Sequence, residues 1–254
     1  MRTWRLLGYA VIVGMAMVLC GCATSRVDRE QPSAVTREDS GAQLVEPGTV
    51  RHGIPYNLAA YVPPPEQINL CGESVPLNDQ QTKERFDKEF TIVVYGNSQV
   101  YLWLKRMHKQ LPWIEKRLQL NSLPDDLKYL IISETDLLPR TWLVKIGNGR
   151  SSNIRFIPSG DTQRDFELGV DQILMTLKDL RQQFPSWVMA IAAYSCGRGR
   201  LQDAIVSQKT SDFYRLQLPP ATESYVFRIM AIKAVLSNPN RYGYNLPHGA
   251  EYRN

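Results

Sequence analysis

The sequence predicts an all-α fold, and three observations predict it. Between Asp165 and Phe184 the apolar residues Phe166, Val170, Ile173, Leu174, Leu177 and Leu180 recur at helical spacing. Trp187 to Tyr194 is apolar on most faces, which marks a helix central to a core. Nowhere does the chain alternate apolar and polar residues in the period of two that a half-buried strand requires.

The other helices follow from weaker signals. Helical patterning begins with Asp79 to Val94 and continues through Gln99 to Gln110 and Leu111 to Leu120. Pro124 followed by Asp125-Asp126 is a helix start, with acids facing the positive N-terminal dipole. Leu127, Leu130 and Ile131 then share a face, and the helix delivers Glu134 at its far end. Gly197-Arg198-Gly199 ends the apolar helix, another follows from about Arg200 to Ser207, and a long one from about Ala221 to Leu236 stops at Asn238-Pro239.

The N-terminal end has a different character. Arg2 and Arg5 precede 14 apolar residues, Leu6 to Leu19, and then Cys20-Gly21-Cys22-Ala23. A spanning helix needs about 20 apolar residues, so this run predicts a signal peptide, residues 1–21, and export. Leu19-Cys20-Gly21-Cys22 resembles a bacterial lipobox, which makes Cys22 the expected lipidation site and new N-terminus. Several acyl chains at about 0.8 kcal/mol per buried methylene would anchor the protein stably. Ala23 in place of an Asp favours, by analogy with lipoprotein sorting, the periplasmic face of the outer membrane. Residues 22–65 are polar and broken by proline, the composition of a flexible tether.

The formal charge of +5 and a pI near 9.0 would suit nucleic acid, but export removes that partner and leaves an anionic wall or membrane surface. His52, His108 and His248 are scattered, and neither they nor the cysteines have zinc-ligand spacing, so neither metal nor cofactor is expected. There is no Gly-x-Ser-x-Gly elbow, and Gly147-Asn148-Gly149 lacks the lysine of a phosphate loop. With Cys20 and Cys22 accounted for, Cys71 and Cys196 remain, and an even pair in an oxidising compartment reads either as a disulfide or as two separate buried thiols.

What remains for chemistry is a carboxylate. Glu134 ends the run Leu127-Lys128-Tyr129-Leu130-Ile131-Ile132-Ser133, where desolvation would keep an acid protonated near neutral pH; a solvated helix-end glutamate is the plainer alternative. A second landmark, Ala192-Ala193-Tyr194-Ser195-Cys196-Gly197, follows 60 residues on, measured Glu to Tyr. Leu218-Pro219 with Glu223-Ser224-Tyr225-Val226, and Asn238-Pro239-Asn240-Arg241-Tyr242-Gly243-Tyr244, complete a set of four in order. Together they resemble the lysozyme-like (SLT-type) domain of the lytic murein transglycosylases, in particular the membrane-bound D type, over residues 123–247. The implied organisation adds a helical N-terminal extension at 66–122 and a short tail at 248–254.

The resemblance implies a single acid, Glu134, that cleaves the bond between N-acetylmuramic acid and N-acetylglucosamine in peptidoglycan and closes a 1,6-anhydro ring, in a monomer without cofactor. It implies Tyr194 and Tyr225 as aromatic groups of the substrate cleft, and Ser195, Thr135, Arg155 and Phe156 as further substrate contacts. It also favours the Cys71–Cys196 disulfide, since a subset of the family carries both cysteines. The chain departs from the family pattern where Arg155 stands for a Gln, Ser195 for an Asn and Thr135 for a Ser, and the loop after Pro158 is shortened. Losing the Asn amide removes donors suited to an acetamido group. The alternative expectation is therefore a member that binds glycan strands, or serves as a wall scaffold, without cleaving them.

Overall fold

The computed structural model of the protein describes residues 61–139 and 159–252, within a unit running from Asn57 to Asn254. The expected signal peptide, Cys22, most of the tether, and the loop carrying Arg155 and Phe156 lie outside the described residues.

A small hairpin comes first: β1 (Asn69–Leu70) pairs antiparallel with β2 (Glu73–Ser74), and Cys71 and Gly72 turn the corner at φ 55° and 82°. No alternation announces it, because each strand is only two residues long. Among the described residues the other regular elements are helical, as expected. The helices are α1 (Gln80–Val94), α2 (Asn97–Leu120), α3 (Leu127–Thr135), α4 (Thr162–Gln183), α5 (Trp187–Cys196), α6 (Arg198–Gln208) and α7 (Pro220–Leu236), followed by a 3₁₀ turn at Pro239–Tyr242.

Local chemistry starts four of them. Asp79 caps α1 by accepting from the Thr82 amide at 2.8 Å, Asp161 accepts from the Gln163 and Arg164 amides of α4, and Ser186 accepts from the Met189 amide of α5. Pro220 occupies the first position of α7, where its missing N–H costs nothing. The two helical runs expected on either side of Gln110 are one helix, α2, with Pro112 inside it. An interior proline costs about 3 kcal/mol, and α2 offsets this by burying Val100 and Trp103 in one half and Ile114 and Leu118 in the other.

The core sits around α5 and α7. Val188 to Tyr194 of α5 are all buried, and its small Ala190, Ala192 and Ala193 let neighbouring helices approach. The predicted stripe of α4, from Phe166 to Leu180, is buried and packs on α5. Helix α1 lays Phe86, Phe90 and Val93 against α7, while α3 is buried on nearly every face between α2 and α7. Glu89, only 2% exposed, accepts from Arg228 of α7 at 3.0 Å, which satisfies the one carboxylate that α1 buries at this contact. Among the described residues no helix is long and apolar enough to cross a membrane.

One expectation about the start of α3 is changed. Asp126 does not bond the amides of its own helix; its carboxylate accepts from the Cys71 amide and from Lys233 of α7, both at 2.7 Å. The hairpin, α3 and α7 are thus pinned at one point.

Candidate active site

Helix α3 ends immediately after Glu134. Its last residue, Thr135, is fully buried; the Thr135 hydroxyl donates to the Ile131 carbonyl at 2.7 Å and accepts from the Leu137 amide at 3.1 Å. The chain then leaves through two left-handed residues, Asp136 at φ 51° and Leu137 at φ 53°. Asp can hold this conformation through local hydrogen bonding, whereas for Leu it costs about 1–2 kcal/mol. Leu137 is 1% exposed, so burial of its side chain offsets that strain.

Glu134 meets Tyr225 there, and Tyr194 stacks on Tyr225. Tyr194 projects from the last turn of α5 and Tyr225 from the first turns of α7, with their rings stacked at 6.4 Å between centroids and 25° between planes. The edge of Tyr225 is partly exposed, but its hydroxyl end is shut off from solvent. Burial raises the Tyr225 pKa well above the ordinary phenol value, and the charge of Glu134, the neighbouring Tyr194 and the Glu134 carboxyl as hydrogen-bond acceptor raise it further. A neutral phenol held against a carboxyl group can donate to the carboxylate and cannot compete with it as a base.

No protein-family model matches the chain. Among individual proteins, membrane-bound lytic murein transglycosylase D of Escherichia coli strain K12 is 28% identical over 162 residues, 58% of this chain and 36% of its own length. Over this stretch the chain is similar to the lytic murein transglycosylases. The protein of the same name from Escherichia coli O6:H1 strain CFT073 matches to the same extent. The chain spans 36% of the length of the curated relatives it matches.

The structure places Tyr225 against Glu134 and stacks Tyr194 on Tyr225. Ser195 is exposed beside them, and its hydroxyl reaches the Thr222 hydroxyl at 3.5 Å. Thr135 is corrected: with no exposed surface and both functions of its hydroxyl engaged by backbone, it serves the helix end and meets no ligand. Arg155 and Phe156 lie outside the described residues. The residues that sequence reasoning missed are on α2, where Gln99 and Trp103 reach the Asp136 carboxylate and Arg106 reaches its carbonyl. Thr222 was missed as well; it is buried one helical turn before Tyr225 and holds both Ser195 and the Cys196 thiol.

The disulfide expectation is also corrected, because Cys71 and Cys196 are free thiols. Cys71 is tied through Asp126 to Lys233, whereas Cys196 is tied to Thr222. These two anchors are eleven residues apart on α7, which is about 16 Å of helix rise. Bridged cysteines have Cα atoms within about 7 Å. Burial pushes the Cys71 thiol pKa up, with Asp126 and Glu73 adding and Lys233 opposing; burial also raises that of Cys196, against Thr222 and Arg200. Alkylation of the unreduced, unfolded protein should therefore label both cysteines, each on its own tryptic peptide. Recovery of a linked Cys71–Cys196 peptide would reject the free-thiol assignment.

Proposed function

We propose that this protein is a peptidoglycan lytic transglycosylase that cleaves the β-1,4 bond from N-acetylmuramic acid to N-acetylglucosamine and forms 1,6-anhydro-N-acetylmuramic acid. The observation that carries the reading is the placement of Glu134, at the end of the buried helix α3 and against the neutral hydroxyl of Tyr225. The Asp136 carboxylate, two residues on, is directed to Trp103 and Gln99 of α2, in keeping with a single acid at the cleft.

The reaction needs one carboxyl group in two roles. Protonated Glu134 gives its proton to the glycosidic oxygen as the bond to C1 of the muramic residue breaks, and the N-acetyl oxygen of that residue covers C1. Glu134, now a carboxylate, takes the proton of the muramic 6-hydroxyl as its oxygen bonds to C1. The proton returns to Glu134 and no water is consumed. Tyr225 can donate to the carboxylate between the two steps, and Tyr194 supplies an aromatic wall beside the sugar. Ser195 offers a hydroxyl where the family has an amide.

The test is incubation with purified peptidoglycan and mass spectrometry of what is released. Anhydro-ended muropeptides are the expected product. Reducing-end products would replace the lyase reading with a hydrolase, and binding of strands without release would replace it with the glycan-binding alternative.

The same proposal places the protein at the periplasmic face of the outer membrane, held by acyl chains on Cys22. The lipobox-like Leu19-Cys20-Gly21-Cys22 supports this, as does the word membrane-bound in the names of the matched relatives. Metabolic labelling with a fatty acid should mark the full chain and should be lost in Cys22→Ala. Label retained in that variant would remove the anchor from Cys22.

A further inference from the structure

We infer that α2 sets the position of the Glu134 carboxyl through a three-point clamp on Asp136, which makes Asp136 and Trp103 positioning residues. The inference rests on the reading of Glu134 as acid and base. Asp136 caps the C-terminus of α3 in the left-handed region, and its amide closes the last helical turn on the Ile132 carbonyl at 2.9 Å. Its carboxylate Oδ1 accepts from the Trp103 indole Nε1 at 3.1 Å and from Gln99 Nε2 at 3.3 Å. Its carbonyl accepts from Arg106 Nη1 at 3.0 Å.

The three donors come from successive turns along one side of α2, so they act as a rigid ruler. Trp103 is 6% exposed, and its ring cannot swing without opening the core, which fixes the indole N–H in space. Helix ends fray when nothing outside the helix holds them. Glu134 sits in the last turn of α3, so any fraying would move the carboxyl first. Locking both the side chain and the carbonyl of the residue that closes this turn removes that freedom. A misplacement of about 1 Å at a reacting group can cost on the order of 10²-fold in rate, which sets the scale of what the clamp protects.

The experiment uses the full chain in detergent, with steady-state release of anhydro-muropeptides from a defined glycan oligomer and a ¹³C-detected titration of the Glu134 carboxyl. Four variants are compared: Asp136→Asn, which keeps an Oδ1 acceptor and tolerates the left-handed backbone; Asp136→Gly, which relieves the backbone but has no side chain; Asp136→Ala; and Trp103→Phe, which keeps the ring and loses the N–H. Asp136→Asn should stay near the unsubstituted rate. Asp136→Gly and Asp136→Ala should lose kcat by on the order of 10²-fold with KM little changed, and Trp103→Phe should fall between. In these last three the Glu134 titration midpoint should move. Retention of kcat in Asp136→Gly, or a loss confined to KM, would overturn the clamp, as would an Asp136→Asn variant as slow as Asp136→Gly. If the unsubstituted protein releases no anhydro products, the transglycosylase reading fails by itself; the titration then decides the clamp, and an unmoved Glu134 midpoint in Asp136→Gly rejects it.

Discussion

Glu134→Gln is expected to abolish release of anhydro-muropeptides while leaving the protein folded. The amide keeps the shape of the side chain but can neither give a proton to the glycosidic oxygen nor take one from the 6-hydroxyl. Acid–base catalysis by a placed side chain is worth about 10²–10⁴-fold, and here one group would perform both halves of the reaction, so the loss should reach the upper end of that range. Glu134 is at a helix end and partly exposed, so the substitution should leave Tm close to that of the unsubstituted protein. Product release by mass spectrometry, with thermal unfolding in parallel, checks both halves. Unchanged anhydro product from Glu134→Gln would move the chemistry to another residue.

Phe227→Ala is expected to have the largest effect on stability. Phe227 is 1% exposed on α7, with its ring against Phe213 at 5.7 Å and Tyr214 at 6.4 Å. The Arg85 guanidinium of α1 stands 5.4 Å from the ring centroid, so one side chain joins α1, α7 and the segment before α7. Truncating a buried Phe removes its transfer free energy and leaves a cavity, together about 3–5 kcal/mol. Arg85 also donates to the Tyr214 carbonyl at 2.6 Å and pairs with Glu223 at 3.7 Å, and these contacts limit how far the cavity can collapse. For a domain of this size the Tm should fall by roughly 10 °C. A calorimetric scan checks it; a drop of only a degree or two would mean that the 213–214 segment closes over the gap.

The parts of this fold that could be read from the sequence are those written in short-range patterns. The stripe from Phe166 to Leu180 announces the buried face of α4, and Pro124-Asp125-Asp126 announces α3. Glu134 stood out because an ionisable group ended a run mostly suited to burial, and Tyr194 and Tyr225 because a resemblance put them beside it. What escaped is carried by pairs distant in the chain. Trp103 meets Asp136 across 33 residues. Glu73 accepts from the Trp187 and Val188 amides at the start of α5, at 2.6 and 3.2 Å, across more than a hundred residues. No local pattern encodes such a match, because each partner alone looks like a solvated polar residue. The disulfide failed for the same reason, since counting cysteines gives parity and compartment but no distance.

Thr135 carries a lesson for reading the positions next to the proposed acid, Glu134. Successive helical residues point about 100° apart, so the immediate neighbour of a cleft-facing glutamate faces elsewhere. Both links made by the Thr135 hydroxyl are to main chain, and a serine hydroxyl could make the same two. The exchange of serine for threonine at this position is therefore chemically silent toward a sugar; it changes only how much methyl the interior holds. Of the departures from the family pattern, this one can be set aside, and the weight of the difference falls on Ser195 and Arg155.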